Sequence, residues 1–285
     1  LALWQAHFTQ AKLQEAGIAS ELVIIKTTGD QIQHLSFDKI EGKGFFTKEI
    51  EEALLRGDID LAVHSMKDMP TSSPEGLVIT ALSYRDDPAD WLIVRPESRV
   101  EGALFQLKDK AIVGTSSARR KAQLLDYRPD VQIQDIRGNV PTRLDKLRQG
   151  DFDAIMLAAA GLSRLELDLS DLYVVKFNPR EFVPAPAQGV LAYQTTAADL
   201  PVRRLIQVLH HTDIAAVTNI ERRVLQLMEG GCQLPLGVYC ERDTMGNYHV
   251  WAAMADSWNA PIRRVRMSSS TRFELAEQIV AQLKK

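Results

Sequence analysis

The chain has 285 residues, 45% hydrophobic and 25% charged, enough for two or three domains with cores of their own. Its 34 basic and 37 acidic residues give a formal charge of −3, which argues against a general nucleic-acid binder, and no apolar run approaches the roughly 18 residues of a membrane helix. With no signal-peptide pattern either, the expectation is a cytoplasmic protein that engages neither membrane nor nucleic acid.

Residues 1–16 read as a helix stopped by Gly17; it opens at Leu1 without an initiator methionine, so a preceding segment is expected. Glu21-Leu-Val-Ile-Ile-Lys26 follows as a β-rich apolar run, and the polar residues 27–44 read as a mobile loop of lid-like length. Thr47 then caps a helix with Glu49, Glu51 and Glu52 in its first turn, apolar Ile50, Ala53 and Leu54 on one face, and Gly57 at its end.

Leu61-Ala-Val-His-Ser-Met-Lys-Asp-Met-Pro70 begins as a buried strand and ends in polar residues, with Pro70 holding Met69 extended. Further strands are expected at 111–114, 131–136 and 154–158, alternating with helices that start near Ser116 or Ser117 and at Pro141 and that bury Ala118, Ala122, Leu125, Leu144 and Leu147. Such alternation predicts α/β layers with mainly parallel strands. Phe182-Val-Pro-Ala-Pro-Ala-Gln-Gly189 reads as a rigid crossover between domains. Beyond it come a helix burying Val217, Ile220, Val224 and Leu227, strands near 236–241, 248–255 and 262–268, and a terminal helix from Thr271 with a Thr271–Glu274 capping box: a small α+β domain.

Junctions where strands hand over to helices are candidate ligand sites, because loops converge there and helix-start amides attract anions. Gly114-Thr-Ser-Ser-Ala-Arg-Arg120 gathers Thr115, Ser116, Ser117, Arg119 and Arg120 at one junction; Arg137-Gly-Asn-Val-Pro-Thr-Arg143 gathers Arg137, Gly138 and Arg143 at another. The planar arginine fork suits carboxylates and phosphates, and cations at a helix start oppose its dipole, so the pattern points to a polyanionic ligand rather than to stability. Without a G-x-x-x-x-G-K-[ST] loop, phosphoryl transfer fits less well. Asp68 is suited to stabilising or shuttling positive charge in a cleft, and Lys67 beside it points elsewhere.

His64, on an apolar strand, reads as a hydrogen-bonded core residue, and His210-His211 as surface. The two cysteines show no C-x-x-C pattern and no His or Cys cluster nearby, so neither a disulfide nor a metal site is expected. Cys240 reads as a buried hydrophobe, whereas Cys232 follows two glycines and is accessible enough to hold a covalent attachment.

Taken together these segments resemble the porphobilinogen deaminase family over nearly the whole chain. The motifs that carry the resemblance are Gly42-Lys-Gly-Phe-Phe46, His64-Ser-Met-Lys-Asp68, Gly114 to Arg120, Arg137 to Arg143, Ala159-Ala-Gly-Leu-Ser-Arg164, Gln188-Gly189 and Glu229-Gly-Gly-Cys232. The resemblance implies an α/β fold of two periplasmic-binding-protein-like domains around a cleft plus a small C-terminal α+β domain. The expected division is 1–86 with 188–207, then 87–187, then 208–285.

It further implies a dipyrromethane cofactor on Cys232 through a thioether, held by Lys67, Ser65, Thr115, Ser116, Ser117, Arg119, Arg120, Arg137, Gly138 and Arg143. Asp68 would be catalytic, and Arg164, Gln188, Lys39, Lys43 and Phe46 would meet substrate. The implied activity condenses four porphobilinogen molecules head to tail with loss of ammonia, by a monomer whose partners are porphobilinogen and the growing polypyrrole chain. The alternative is a non-catalytic two-domain binding protein for a carboxylated small molecule. Two departures stand out: the strand and the Arg- and Ser-containing turn that open the family are absent from this sequence, and Ala187 stands where a glycine commonly precedes Gln-Gly.

Overall fold

The computed structural model describes residues 1–25, 47–229 and 234–285. In chain order the elements are α1 (Ala2–Glu15), α2 (Lys48–Arg56), β1 (Ala62–Ser65), β2 (Leu77–Leu82), β3 (Asp90–Val94), β4 (Ile112–Gly114), α3 (Ala118–Tyr127) and β5 (Gln132–Gln134). There follow α4 (Val140–Gln149), β6 (Ala154–Ala158), α5 (Ala159–Leu165), β7 (Tyr173–Lys176), β8 (Leu191–Thr196), α6 (Leu200–Ile206), α7 (Thr212–Leu227), β9 (Leu236–Arg242), β10 (Tyr248–Met254), β11 (Arg263–Ser269) and α8 (Leu275–Leu283). They build three sheets, ordered β1-β8-β2, β5-β4-β6-β3-β7 and β11-β10-β9.

The middle sheet is buried on both faces, and the period-2 pleat shows why. Leu92, Val94 and Met156 pack on one side with Leu124 of α3 and with Phe177 and Phe182 of the crossover. Ile93, Ile155 and Leu157 pack on the other side with Leu144, Leu147 and Leu162 of α4 and α5. Asn139 and Ser117 cap α4 and α3 through their side chains, and Gly150 ends α4 in left-handed backbone. In the third sheet, α7 and α8 cover one face with Val217, Ile220, Val224, Ile279 and Leu283.

Strand direction differs from the expected mainly parallel arrangement. Only β4 runs parallel to its neighbours β5 and β6, while β3 is antiparallel to β6 and β7, and β8 is antiparallel to β1 and β2. The cause is the path of the chain: Ser83–Ala89 and Phe177–Val190 each pass from one sheet to another and enter the new sheet at the edge they left, which reverses the following strand. The consequence is functional. The carboxyl ends of β1, β2, β4, β5, β6 and β7 and the amino ends of β3 and β8 all lie on the edges where the two sheets are joined.

Three further expectations are corrected. Residues 21–25 form no strand; Val23 and Ile24 are exposed, and no described strand lies alongside to complete a ladder. The terminal helix starts at Leu275 with Glu274 in left-handed backbone (φ 54°), so the Thr271–Glu274 capping box does not form, and Thr271 Oγ1 instead accepts the Phe273 amide. Thr47 does precede α2, but its hydroxyl donates to Glu51 Oε2 at 3.2 Å rather than capping an amide. The expected lid at 27–44 lies outside the described residues.

At Gly189 the two crossing segments meet backbone to backbone. Asp86 N donates to its carbonyl at 3.1 Å, its φ is +90°, and a Cβ there would lie 2.5 Å from Asp86 O, so no other residue fits without movement. The third sheet docks on the same crossover, with Val238 N donating to Pro184 O.

Candidate active site

Strand alternation sorts the residues of β1. Ala62 and His64 face inward, whereas Ser65 faces α1, where its Oγ accepts from Gln5 Nε2 at 2.9 Å. His64 Nε2 donates to Gln194 Oε1 at 3.0 Å, while Gln194 Nε2 donates to Glu51, which fixes the amide orientation and hence the histidine tautomer. Burial pushes this imidazole down to about 4 against a smaller opposing effect of the Gln194 bond, so it is neutral at physiological pH and serves as scaffold.

Where β1 stops, Met66–Asp68 form one 3-10 turn closed by Met69 N to Met66 O, and this turn presents Lys67 and Asp68 to the gap between sheets. Asp68 keeps contact with solvent, yet enough protein surrounds it that desolvation pushes its carboxyl up, opposed by the charges of Lys67 and Arg120. Desolvation likewise pushes the Lys67 ammonium down, and the nearby charges of Asp68, Arg120, Asp90 and Arg119 all act on it. Lys67 Nζ lies 3.4 Å from Gln188 Oε1.

The opposite wall comes from the second sheet. Ser116 Oγ donates to Ile136 O and accepts from Ile136 N, which ties the loop after β4 to the loop after β5. Thr115, buried, accepts the Ser117 amide, and Ser117 in turn accepts the Arg120 amide. Gly138, at φ +111°, lets the second loop turn tightly over Thr142, whose side chain a Cβ would meet at 2.8 Å.

The arginines divide into three groups. Arg119 and Arg120, expected as ligand donors at a helix start, are buried and turned to Asp90: Arg119 Nη1 donates to Oδ2 at 2.6 Å, and Arg120 Nε and Nη2 donate to Oδ1 at 3.0 and 2.7 Å. They also hold the carbonyls of Val183 and Met156. Burial would push the Asp90 carboxyl up, but the two guanidinium charges and the bonds from Arg119 and Gln188 outweigh it and hold the group well below the usual carboxylate range. Arg143 is the contrasting case: burial and the neighbouring charges of Arg120 and Arg137 push its guanidinium down to about 10. An anion among these three would relieve that repulsion.

Arg164 stands apart. Its Nη2 donates to Gly189 O at 2.8 Å, its Nε pairs with Asp86, and its guanidinium lies over the Trp4 ring, so it braces the crossing segments rather than joining the arginine cluster. Gln188 is buried and linked to Lys67, Pro88 and Asp90. Lys39, Lys43, Phe46 and Cys232 lie outside the described residues. Cys240 is buried and burial pushes its thiol up, which makes it inert. His210 and His211 accept the backbone amides of Leu82 and Ile214 through Nδ1.

Sequence reasoning missed Asp90, Gln5, Arg85, Glu221 and Arg222. Asp90 had a signal, a carboxylate heading the apolar run Trp91-Leu-Ile-Val94; Glu221 had another, four residues after Val217 on the buried face of α7. Glu221 accepts both ends of the Arg85 fork, at 2.7 and 3.2 Å, and the amides of Ala187 and Cys240, so it joins the third sheet to both crossing segments.

Fold and site thus define an α/β protein in which a carboxylate and an amine at the end of β1 lie within electrostatic reach of the arginines at the start of α3. The chain belongs to the porphobilinogen deaminase family. The family model described as "Porphobilinogen deaminase, dipyromethane cofactor binding domain" matches residues 1–204. The porphobilinogen deaminase of Chloroherpeton thalassium is 42% identical over 98% of this chain and 88% of its own length. That of Moorella thermoacetica is 48% identical over 83% of this chain and 74% of its own. Among solved structures, a Salmonella typhimurium periplasmic binding protein with high arginine specificity gives a TM-score of 0.41 at 11% identity, over 74% of this chain and 83% of that one, a likeness on which the assignment does not draw.

Proposed function

We propose that this chain works as a porphobilinogen deaminase, or hydroxymethylbilane synthase: a transferase of tetrapyrrole (haem) biosynthesis that joins four porphobilinogen molecules head to tail, releases ammonia each time and yields hydroxymethylbilane. The observation that carries the reading is Asp68, a carboxyl pushed up by desolvation on the turn after β1, within reach of the Lys67 ammonium on the same turn and of the Arg120 guanidinium at the start of α3. Ionised, it offsets the positive charge that develops on a pyrrole as ammonia leaves and accepts hydrogen bonds from the pyrrole nitrogen; its raised affinity for a proton also suits it to proton transfer. A protein that only bound a carboxylated ligand would gain nothing from this group.

The dipyrromethane cofactor fits the residues present, because its acetate and propionate groups answer the mutual repulsion of Arg120, Arg137 and Arg143. Arg137 and Arg143, the Thr115–Ser117 junction and Lys67 would hold its carboxylates; Arg119 and Arg120, anchored on Asp90, would set the potential of that wall. When bound through Cys232, the group supplies the nucleophilic pyrrole carbon on which the product grows. Gln188 lies where a substrate in the cleft would meet the hinge, and Arg164 acts by bracing that hinge.

The reading also takes 1–86 with 188–207, 87–187 and 208–285 as the three domains, supported by one sheet in each. It has the enzyme act in the cytoplasm as a monomer; no helix among the described residues is long and apolar enough to cross a membrane. Intact-mass measurement is the test: the purified chain should carry an adduct of two linked pyrroles, lost in Cys232→Ala. A fully active wild-type chain of unmodified mass would refute the cofactor assignment.

A further inference from the structure

Helix α7 reaches the cleft from the third sheet through two successive residues with different targets. Glu221 holds the crossing segments, while Arg222 turns to the loop after β1. Arg222 Nη1 donates to Met66 O and Met69 O, both at 3.1 Å, and Nη2 donates to Pro70 O. These carbonyls bracket Lys67 and Asp68. The β1–β8 ladder ends at Ser65 opposite Leu191, and beyond it Met66 N bonds to Val190 O, so the turn leaves the sheet at its first residue. A buried, rigid guanidinium fork bonded to three carbonyls fixes the peptide planes on either side of the turn, and so fixes where the two side chains point.

We propose that Arg222 is the positioning residue of the site: by clamping Met66, Met69 and Pro70 it sets the depth of Asp68 in the cleft relative to α7. The proposal rests on the catalytic reading of Asp68. The role is exerted through the backbone of the turn, whose carbonyls on either side of Lys67 and Asp68 the guanidinium holds. Arg222 also lines an open recess of about 380 Å³ behind the turn, bordered by Thr71, Asn219 and Gln226, through which a small cation can reach its place.

The experiment compares Arg222→Ala, Arg222→Lys and Asp68→Asn with the wild type, each with its pyrrole adduct confirmed by mass and assayed well below its melting temperature. Displacement of about 1 Å at a reacting group costs about 100-fold, so Arg222→Ala should lose about 30- to 100-fold in kcat with KM little changed. Guanidinium ion at millimolar concentration should restore at least about 5-fold to that variant while leaving wild type and Asp68→Asn unimproved, and Arg222→Lys should fall between wild type and Arg222→Ala. Wild-type kcat in folded, adduct-bearing Arg222→Ala would overturn the proposal. So would a loss that follows lowered melting temperature alone, without rescue by guanidinium or by lysine. If Arg222→Ala does not fold, Arg222→Lys decides: unchanged kcat overturns the clamp. Undiminished turnover in Asp68→Asn would instead remove the reading on which the proposal stands.

Discussion

Gln188 donates from Nε2 to Asp90 Oδ1 at 2.9 Å while its Oε1 lies 3.4 Å from Lys67 Nζ, so one amide in the crossover joins the turn after β1 to the buried carboxylate that holds Arg119 and Arg120. The two walls are therefore linked through the crossover, and a defect at Asp90 should be felt on both.

Asp90→Asn keeps the shape and removes the charge that two buried guanidiniums share. Breaking such a network costs about 3–5 kcal/mol, which urea unfolding at neutral pH would read. The native carboxyl is held below its unfolded value, so its contribution is complete above about pH 4 and is lost as pH falls toward the native value. The variant should lack that part of the acid limb. Equal stability of the two proteins at pH 7 would refute Asp90 as the anchor.

Asp68→Asn should separate stability from function. The carboxyl is pushed up in the fold, so ionising it destabilises the native state, and its stabilising share fades as pH rises above the unfolded value. The variant should melt no lower than wild type at pH 7, yet lose about 100-fold or more in turnover. A lowered melting temperature with residual activity in proportion would point to a structural role instead.

His64 predicts a second acid-sensitive term. Burial pushes its imidazole to about 4, so between the unfolded value near 6.5 and that value the unfolded chain binds the extra proton, and stability falls as pH falls. The full effect is on the order of 3 kcal/mol. Proton NMR should find this imidazole neutral from pH 8 to pH 5; a midpoint near 6.5 would contradict the buried hydrogen-bonded assignment.

Gly189→Ala forces a side chain into left-handed backbone and against Asp86 O at 2.5 Å. The backbone alone costs about 1–2 kcal/mol, and the clash adds to it. Chemical denaturation should place the variant at least that far below wild type, and a neutral substitution would mean that the crossing segments are not held this closely.

Much of the local structure was legible because it is decided locally. Gly57 and Gly150 end helices in left-handed backbone, Ser117 caps α3, and the run Ala154–Ala158 is a strand buried on both faces. Glu21–Ile25 shows the limit, since an apolar β-rich run becomes a strand only beside another, and that neighbour is a tertiary matter. The arginines show the same limit in the site. Helix-start placement identified Arg119 and Arg120 as unusual, but charge in a sequence carries no partner, and only the antiparallel entry of β3 brings Asp90 to the edge where they lie.

Read alone, the chain was enough for α2, α3, α4 and α7, for the strands of the third sheet and for the motifs of the family, because propensity, periodicity and turn geometry act over a few residues; β2, β3, β7 and β8 were not among the expectations. The tertiary structure decided strand direction, the anchoring of Arg119 and Arg120 on Asp90, the bracing role of Arg164 and the hold of Arg222 on the turn that bears Asp68. Each depends on the two crossings that set distant segments edge to edge, and desolvation and charge act there on groups as much as 156 positions apart.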